Sequence, residues 1–219
     1  LMSHYEITGD FKMLKLTAEK WFKSNDISGN IYTLCYNMLQ SVEDNAILFT
    51  LGDNDTYPTW VLQLVKNIKP NVKIMNTSLM MIDDYRHQYF KRLSIPKLKI
   101  DSAKCNTWQK QQDTLLKHVK KYSKRPIYIT VGANKDVYDF CKKDIYLVGL
   151  AYKWSDTKFD NIAVIKRNYE KYYLLDYLEI QMSKDISQGV VEINNSNYLP
   201  SFITLYHHYK QSEDPKATI

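Results

Sequence analysis

The sequence has few of the residues that interrupt regular structure. Its 219 residues include only six glycines, six prolines and three cysteines. The scarcity of glycine and proline disfavours a disordered linker, and we find no internal repeat. No apolar run approaches the roughly 18 residues that a membrane-spanning helix needs. We therefore expect a folded protein without a transmembrane segment in this chain.

The motifs of several enzyme classes are also absent from the sequence. Cys35, Cys105 and Cys141 show no CxxC or CxxH spacing, which excludes the common zinc patterns. No GxGxxG or Walker-type loop indicates a dinucleotide or ATP site, and no GxSxG motif indicates a serine nucleophile. Since Cys35 and Cys141 lie in apolar helical contexts, we expect both in the core.

The charge and the tyrosines allow two kinds of surface interaction. A net charge of +6 favours solubility and anionic partners, but no nucleic-acid motif accompanies the basic residues. Binding of nucleic acid or phosphate is therefore the weakest functional hypothesis for this chain. The 18 tyrosines favour core and rim packing, with a sugar- or base-stacking surface as the alternative. The densest basic cluster, at the end of a predicted helix, is Lys117, Lys120, Lys121, Lys124 and Arg125.

Hydrophobic periodicity predicts alternating strands and helices. That order is typical of a parallel sheet covered by helices. We predict an α/β fold: a three-layer sandwich with a mainly parallel, Rossmann-like sheet of four to five strands and extra helices at both termini. The predicted strands are Ala46–Leu51, Val72–Leu79, Pro126–Val131 and Ile145–Ala151, and Val190–Ile193 could add a short edge strand.

The chain is predicted to form a single α/β domain of residues 1–219. Within it we expect N-terminal helices over 1–44, the parallel-sheet core over 45–155 and a helical extension over 156–219. The predicted helices cover about 10–24, 30–42, 59–68, 83–93, 107–122, 135–142, 161–181 and 197–211, with an exposed loop at Gln181–Asn197.

A polar block, Gly52–Trp60, follows directly on the first predicted strand. Ligands of open α/β sheets bind at the carboxyl ends of strands. Asp53 and Asp55 could share a cation such as Mg²⁺ or Ca²⁺, or catalyse phosphoryl or glycosyl transfer, with Asn54 and Thr56 beside them. The structural alternative is that Asp55 or Thr56 caps the following helix.

Further polar residues follow the second and third predicted strands. If strands one and two are neighbours, Asn76, Ser78 and Asp84 share the sheet edge with the first block, although Asp84 could also be a helix cap. The loop Gly132–Asp136 could present amides to an anion. The candidate ligand-binding residues are Asp53, Asn54, Asp55, Thr56, Asn76, Ser78 and Asp84, and the candidate catalytic or metal-binding pair is Asp53 and Asp55.

These blocks resemble a bacterial family of protein O-mannosyltransferase-like membrane proteins of unknown function. The most specific similarity is Asn45–Thr50 followed by Gly52–Pro58 and Trp60. Weaker blocks are Asp26–Gly29, Lys69–Asn76 and Gly149–Lys153, so the resemblance covers roughly residues 26–155. Members of the family carry many membrane-spanning helices upstream, and the resemblance implies that sugar transfer takes place there.

The resemblance implies that this chain is the family's soluble domain. We expect a non-catalytic ligand- or partner-binding domain of an envelope-associated glycosyltransferase-like system, with a glycan, polar small molecule or membrane-embedded protein as partner. The alternative is a divalent-metal-dependent hydrolase or transferase that uses Asp53 and Asp55. An extracytoplasmic or membrane-associated location is favoured, with a cytoplasmic one left open. The first residue, Leu1, favours a chain trimmed of an upstream signal or anchor.

Overall fold

The chain forms an α/β fold around one five-stranded mixed sheet. The computed structural model describes residues 1–101, 103–133, 135–179 and 188–218. The strands are β1 (Ile47–Thr50), β2 (Lys73–Asn76), β3 (Ile127–Thr130), β4 (Ile145–Leu147) and β5 (Ala151–Trp154). Their spatial order is β2-β1-β3-β5-β4, which leaves β2 at one edge.

The sheet is parallel at one end and antiparallel at the other. β1 pairs in parallel with β2 and β3, so that Ile47 lies opposite both Lys73 and Ile127. β5 is antiparallel to both β3 and β4. The predicted α/β class is correct, but the antiparallel end was not predicted.

A turn at Gly149 produces the antiparallel end. The sequence predicts one strand over Ile145–Ala151, but the chain reverses at Gly149, whose φ of +127° suits glycine and few other residues. The Leu150 N–H donates to Ser41 Oγ at 3.1 Å and to the Tyr173 hydroxyl at 3.0 Å. The predicted fourth strand is therefore β4, the turn at Gly149 and the first residue of β5.

The helices agree with the predictions near the sheet and differ elsewhere. The predicted edge strand Val190–Ile193 is wrong, because these residues belong to a helix, and the predicted helix 135–142 is two 3-10 turns, Lys135–Val137 and Asp139–Cys141. Of the predicted loop 181–197, residues 181–187 lie outside the described residues. The rest is wrong as a loop, because it forms a helix, Gln188–Asn195, followed by a 3-10 turn that begins at Ser196. The helices are α1 (Met2–Thr8), α2 (Phe11–Ser24), α3 (Gly29–Gln40), α4 (Asp53–Lys66), α5 (Asp83–Arg92), α6 (Trp108–Tyr122), α7 (Asn161–Arg167), α8 (Asp176–Glu179), α9 (Gln188–Asn195) and α10 (Leu199–Gln211), with a π-helical segment at Asn168–Tyr172 between α7 and α8.

Apolar side chains are buried on both faces of the sheet. Leu48 of β1 joins a cluster with residues of α3 and α4, whereas Ile47 and Phe49 join one with residues of α5 and α6. Burial on both sides explains the continuous apolar run of β1. Cys35 and Cys141 are buried, as predicted. Within the described ranges, no helix has the length and apolarity to span a bilayer.

Candidate ligand-binding cleft

A cleft of about 320 Å³ lies at the carboxyl ends of β1 and β3. From β1 the chain passes to β2 on one side, whereas β3 lies on the other side of β1. Such a reversal of strand order is where open α/β sheets bind ligands. The cleft is lined by Leu51–Asp55 after β1, by Thr130 and Gly132 at the end of β3, by Leu34, Met38 and Leu150, and by Ile193, Asn194, Ser196 and Asn197.

The acidic block begins α4 rather than forming a loop before it. The helix starts at Asp53, earlier than the sequence predicts, and Asp55 is its third residue. One Asp55 carboxylate oxygen accepts the Leu51 N–H at 3.0 Å, and the other accepts the Gly52 N–H at 2.9 Å. Because Gly52 has no side chain, Asp55 supplies the side-chain half of the cap. Carboxylates in a first helical turn also complement the helix dipole.

Asp55 is the titratable group of the cleft with the clearest perturbation. Burial raises the pKa of its carboxyl to about 6, although hydrogen bonds from the backbone of Leu51 and Gly52 oppose the rise. In the described part of the chain, no group of three or more His, Cys, Asp or Glu side chains is placed to hold a metal ion. The observed contacts of Asp55 therefore fix the start of the helix.

A proline in the second turn of α4 is accommodated by neighbouring side chains. Pro58 has no N–H, so the Asn54 carbonyl lacks its usual helical donor. The Cys35 thiol donates to that carbonyl at a sulfur–oxygen distance of 3.2 Å. Burial raises the pKa of Cys35 to about 12, which keeps the thiol protonated as a donor. This contact holds the backbone of Asn54 at the cleft.

Thr56 and Asn76 form a buried network behind the cleft. The Asn76 amide donates to Thr56 Oγ1 at 2.9 Å, and Thr56 Oγ1 lies 2.8 Å from Thr50 Oγ1. The side-chain oxygen of Asn76, Oδ1, accepts the N–H groups of Ser78 and Leu79 at 2.9 and 3.0 Å. This network joins the ends of β1 and β2 to α4, and it places Asn76 outside the lining of the cleft.

The remaining predicted residues also lie outside the cleft lining. Ser78 and Asp84 are exposed, Asp84 in the first turn of α5. His87, a candidate base, lies with Nε2 3.0 Å from the Leu98 carbonyl oxygen. Of the seven predicted ligand-binding residues, the structure brings Asp53, Asn54 and Asp55 into one cleft.

A second cavity of about 320 Å³, here called the aromatic cavity, shares Asp53 and Asn54 with the cleft. Trp21 and Tyr57 line it, with ring centroids 6.0 Å apart. Helix α9 borders both spaces, since Val190 lines the aromatic cavity and Ile193 lines the cleft. The first residues of α4 therefore lie between the cleft and the aromatic cavity.

Sequence reasoning missed the residues that face the acidic block. The sequence predicts Asn194, Ser196 and Asn197 in an exposed loop and Trp21 in a helix, and it indicates no role for them in the site. The available signal was the polar run Asn194–Asn197 directly after an apolar segment. Asparagine and serine side chains both donate and accept hydrogen bonds, so such a run can form one side of a polar site.

One comparison with known families identifies a related segment. Residues 31–94 match the family model described as TMEM260-associated domain 2. The match covers less than half of the chain and runs from α3 to the end of α5, so it includes the acidic block but not the α9 side of the cleft. No curated protein and no solved structure matches the chain. The segment that contains Asp53–Thr56 is thus similar to a TMEM260-associated domain.

Proposed function

We propose that the chain is a non-catalytic domain that binds a neutral, hydroxyl-rich ligand such as a sugar at the start of α4. The observation that carries the proposal is the position of Asp53 and Asn54, which line both the cleft and the aromatic cavity. A ligand across this point would meet polar groups on one side and aromatic rings on the other. Small-molecule sites combine apolar walls with a few convergent polar groups in this way.

The polar side of the site suits hydroxyl groups. Asn54, Asn194 and Asn197 each carry a carbonyl acceptor and an amide donor, and Asp53 adds a carboxylate acceptor. A hydroxyl group is itself both donor and acceptor, so adjacent hydroxyls can pair with this set. The apolar side chains of Leu34, Met38 and Leu150 form another part of the lining.

The aromatic cavity suits the less polar face of a sugar ring. Trp21 and Tyr57 present large rings beside the carboxylate of Asp53, and such side chains combine apolar area with one polar atom. A sugar seated at Asp53 could place hydroxyls toward the cleft and carbon atoms against these rings. In this proposal Trp21 and Tyr57 stack against the sugar, which is the alternative role that the sequence suggests for its tyrosines.

The wider setting of the proposal is an envelope-associated glycosyltransferase-like system. Two observations support it: the O-mannosyltransferase-like motifs around the acidic block, and the match of residues 31–94 to a TMEM260-associated domain. In this setting the domain would recognise a glycan, either free or on a membrane-embedded partner, while another part of the system performs the transfer.

Titration with neutral sugars tests the proposal. Mannose, glucose and mannobiose are titrated into the parent protein, and binding is followed by tryptophan fluorescence, since Trp21 lies in the aromatic cavity. We expect saturable binding of at least one sugar, weakened at least tenfold by Asp53→Ala and by Tyr57→Leu, both of which leave the Trp21 reporter in place. Asp84→Ala is the matched control, because it removes an exposed acid from the first turn of another helix. Equal loss in Asp84→Ala, or no binding of any sugar, would contradict the proposal.

The metal-dependent alternative makes a different prediction. If Asp53 and Asp55 hold Mg²⁺ or Ca²⁺, either ion should raise the melting temperature of the parent protein, because a ligand that binds only the folded state stabilises it. The double variant Asp53→Asn, Asp55→Asn should lose that increase. If neither ion moves the melting temperature of the parent, the metal-dependent alternative is rejected.

A further inference from the structure

A different cavity, of about 400 Å³, lies beside the edge strand β2 and is here called the basic cavity. Three cationic side chains line it: Lys73 at the start of β2, Arg92 at the end of α5 and Arg125 just before β3. These residues come from three separate elements, so the fold creates this concentration of positive charge. The basic cavity lies at the amino ends of β2 and β3, whereas the cleft lies at the carboxyl ends of β1 and β3.

The cations of the basic cavity retain unused hydrogen-bonding capacity. Within the described ranges, Lys73 has neither an ion pair nor a side-chain hydrogen bond. Arg125 donates through Nη1 to the backbone carbonyls of Asn45 and Asn71, at 3.1 and 3.3 Å, and to the Asn45 side-chain oxygen. Its Nε and Nη2 have no acceptor in the same ranges. Arg92 contacts Glu6 at 3.4 Å and otherwise lies over aromatic rings. Donors therefore remain free for a ligand.

The described residues that line the basic cavity carry more positive than negative charge. Of the described residues that line it, Glu6 alone is acidic, and it is only 7% exposed. Three positive charges and at most one negative charge leave a net of at least +2. Burial together with the nearby Arg125 and Arg92 lowers the pKa of Lys73, as expected where cations repel one another. An anion in the cavity would relieve this repulsion.

We infer that the basic cavity binds a phosphate group carried by a small molecule or a lipid headgroup. A phosphate monoester carries nearly two negative charges at neutral pH, which matches the net charge of the lining better than a single carboxylate does. The forked guanidinium groups of Arg92 and Arg125 suit its oxygens, and Lys73 adds a point charge. Leu14, Trp60 and Leu64 also line the cavity and would contact the organic part of the ligand.

This site differs from the basic cluster noted in the sequence. In that cluster Lys120 pairs with Asp156 at 2.9 Å, and the Lys117 ammonium lies 4.4 Å from the centre of the Phe140 ring. Arg125 is the member shared with the basic cavity. The cations that converge on one space are thus selected by tertiary structure, and not by their density along the chain.

Calorimetric titration with inorganic phosphate, at constant ionic strength maintained with sodium chloride, tests the inference. We expect saturable binding to the parent protein and at least tenfold weaker binding to the double variant Lys73→Met, Arg125→Met. Lys158→Met is the matched control, because Lys158 is exposed and does not line the cavity. The absence of saturable binding to the parent, or an equal loss in Lys158→Met, would overturn the inference.

A second measurement does not depend on the folding of the variants. Backbone amide resonances of the parent protein are followed by NMR during the phosphate titration. We expect the largest shifts at Val72, Lys73 and Ile74, which line the basic cavity. Shifts confined to Asp53–Thr56 would overturn the inference and would instead place the anion at the start of α4.

Vesicles distinguish the two sources of phosphate. Cosedimentation is measured with vesicles of phosphatidylcholine alone and with vesicles that also contain phosphatidic acid. Binding to the second type alone, lost in Lys73→Met, Arg125→Met and retained in Lys158→Met, assigns a lipid headgroup. Phosphate binding without cosedimentation assigns a soluble phosphate compound. If phosphatidic acid recruits both variants as well as the parent, the attraction is general and the basic cavity is not its cause.

Discussion

Two acidic residues, Asp55 in the cleft and Glu6 in the basic cavity, have raised pKa values for the same reason but are held differently. Burial is the largest cause in both. Asp55 accepts backbone N–H groups three and four residues away, whereas Glu6 accepts the Tyr85 hydroxyl at 3.0 Å and lies 3.4 Å from Arg92. One environment is local in sequence, and the other is created by the packing of α1 against distant elements.

The two acidic residues therefore have different roles: Asp55 stabilises a helix start, and Glu6 balances positive charge. The contacts of Asp55 fix the start of a helix, so its removal should chiefly affect stability. Glu6 offsets part of the positive charge of Lys73, Arg92 and Arg125, so its removal should chiefly affect the binding of anions. The following changes test this contrast and the corresponding contrast between the two ends of β2.

The largest expected effect is from Asn76→Ala at the carboxyl end of β2. The change removes one partner of Thr56 Oγ1, which keeps Thr50, and the acceptor of the Ser78 and Leu79 N–H groups, and each lost hydrogen bond costs about 1 kcal/mol. We expect the free energy of unfolding to fall by about 3 kcal/mol, measured by urea denaturation.

Lys73→Met, at the amino end of the same strand, is the comparison for Asn76→Ala. Because Lys73 makes no side-chain hydrogen bond or ion pair in the described residues, its loss should change the free energy of unfolding by less than about 0.5 kcal/mol. A cost for Lys73→Met as large as that for Asn76→Ala would show that both ends of β2 are equally structural.

The next effect is the pH dependence that Asp55 contributes. Its pKa is raised from 3.8 to about 6 in the folded state, so the folded state binds the proton more tightly. The resulting stabilisation is complete below about pH 4 and is lost as the pH rises through about 6. Asp55→Asn should reduce the pH-dependent change in the free energy of unfolding by about 2 kcal/mol, since the full pKa shift corresponds to at most about 3 kcal/mol.

Urea denaturation at a series of pH values between 4 and 7 measures this effect. Glu6→Gln is the comparison, because the pKa of Glu6 is also raised and its contribution has the same sign. Each single variant should remove only the pH dependence of unfolding that its own residue contributes, and the double variant should remove both contributions. A parent protein that becomes more stable as the pH rises over this range would contradict the assignment to Asp55.

A smaller effect is expected on anion binding from Glu6→Gln. Removal of the one acidic group among the described lining residues should strengthen the binding of inorganic phosphate about threefold to tenfold, since a nearby like charge opposes the ligand. Asp55→Asn, far from the basic cavity, should leave the phosphate affinity unchanged. Unchanged affinity in Glu6→Gln would show that Glu6 remains protonated when phosphate binds.

The smallest effects are expected from Ser78→Ala and Asp84→Asn. Both residues are exposed and lie outside the lining of the cleft, so each should change the free energy of unfolding by less than about 0.5 kcal/mol. Neither should alter sugar binding measured by tryptophan fluorescence. Weaker sugar binding in either variant would extend the site beyond the cleft and the aromatic cavity.

The parts of the fold that were predicted depend on local patterns. The strands β1, β2 and β3 and the helices α2 to α6 follow from apolar runs and periodicity, although α4 begins earlier than predicted because Asp55 caps it from within. The turn at Gly149 was missed because a short apolar run with one glycine also fits a single strand. Helix α9 was missed because Val190–Ile193 is a short β-branched segment that fits a strand equally well.

The sequence by itself determined the α/β class and the position of an acidic block at the end of the first strand, because hydrophobic period and helix-start chemistry depend on neighbouring residues. Tertiary structure alone decided which distant side chains share a cavity. It placed Asn194 and Asn197 in the same cleft as Asp53, and it placed Lys73, Arg92 and Arg125 in the same cavity as Glu6. The physical reason is that burial and charge repulsion depend on distances through space, and separation along the chain does not specify those distances.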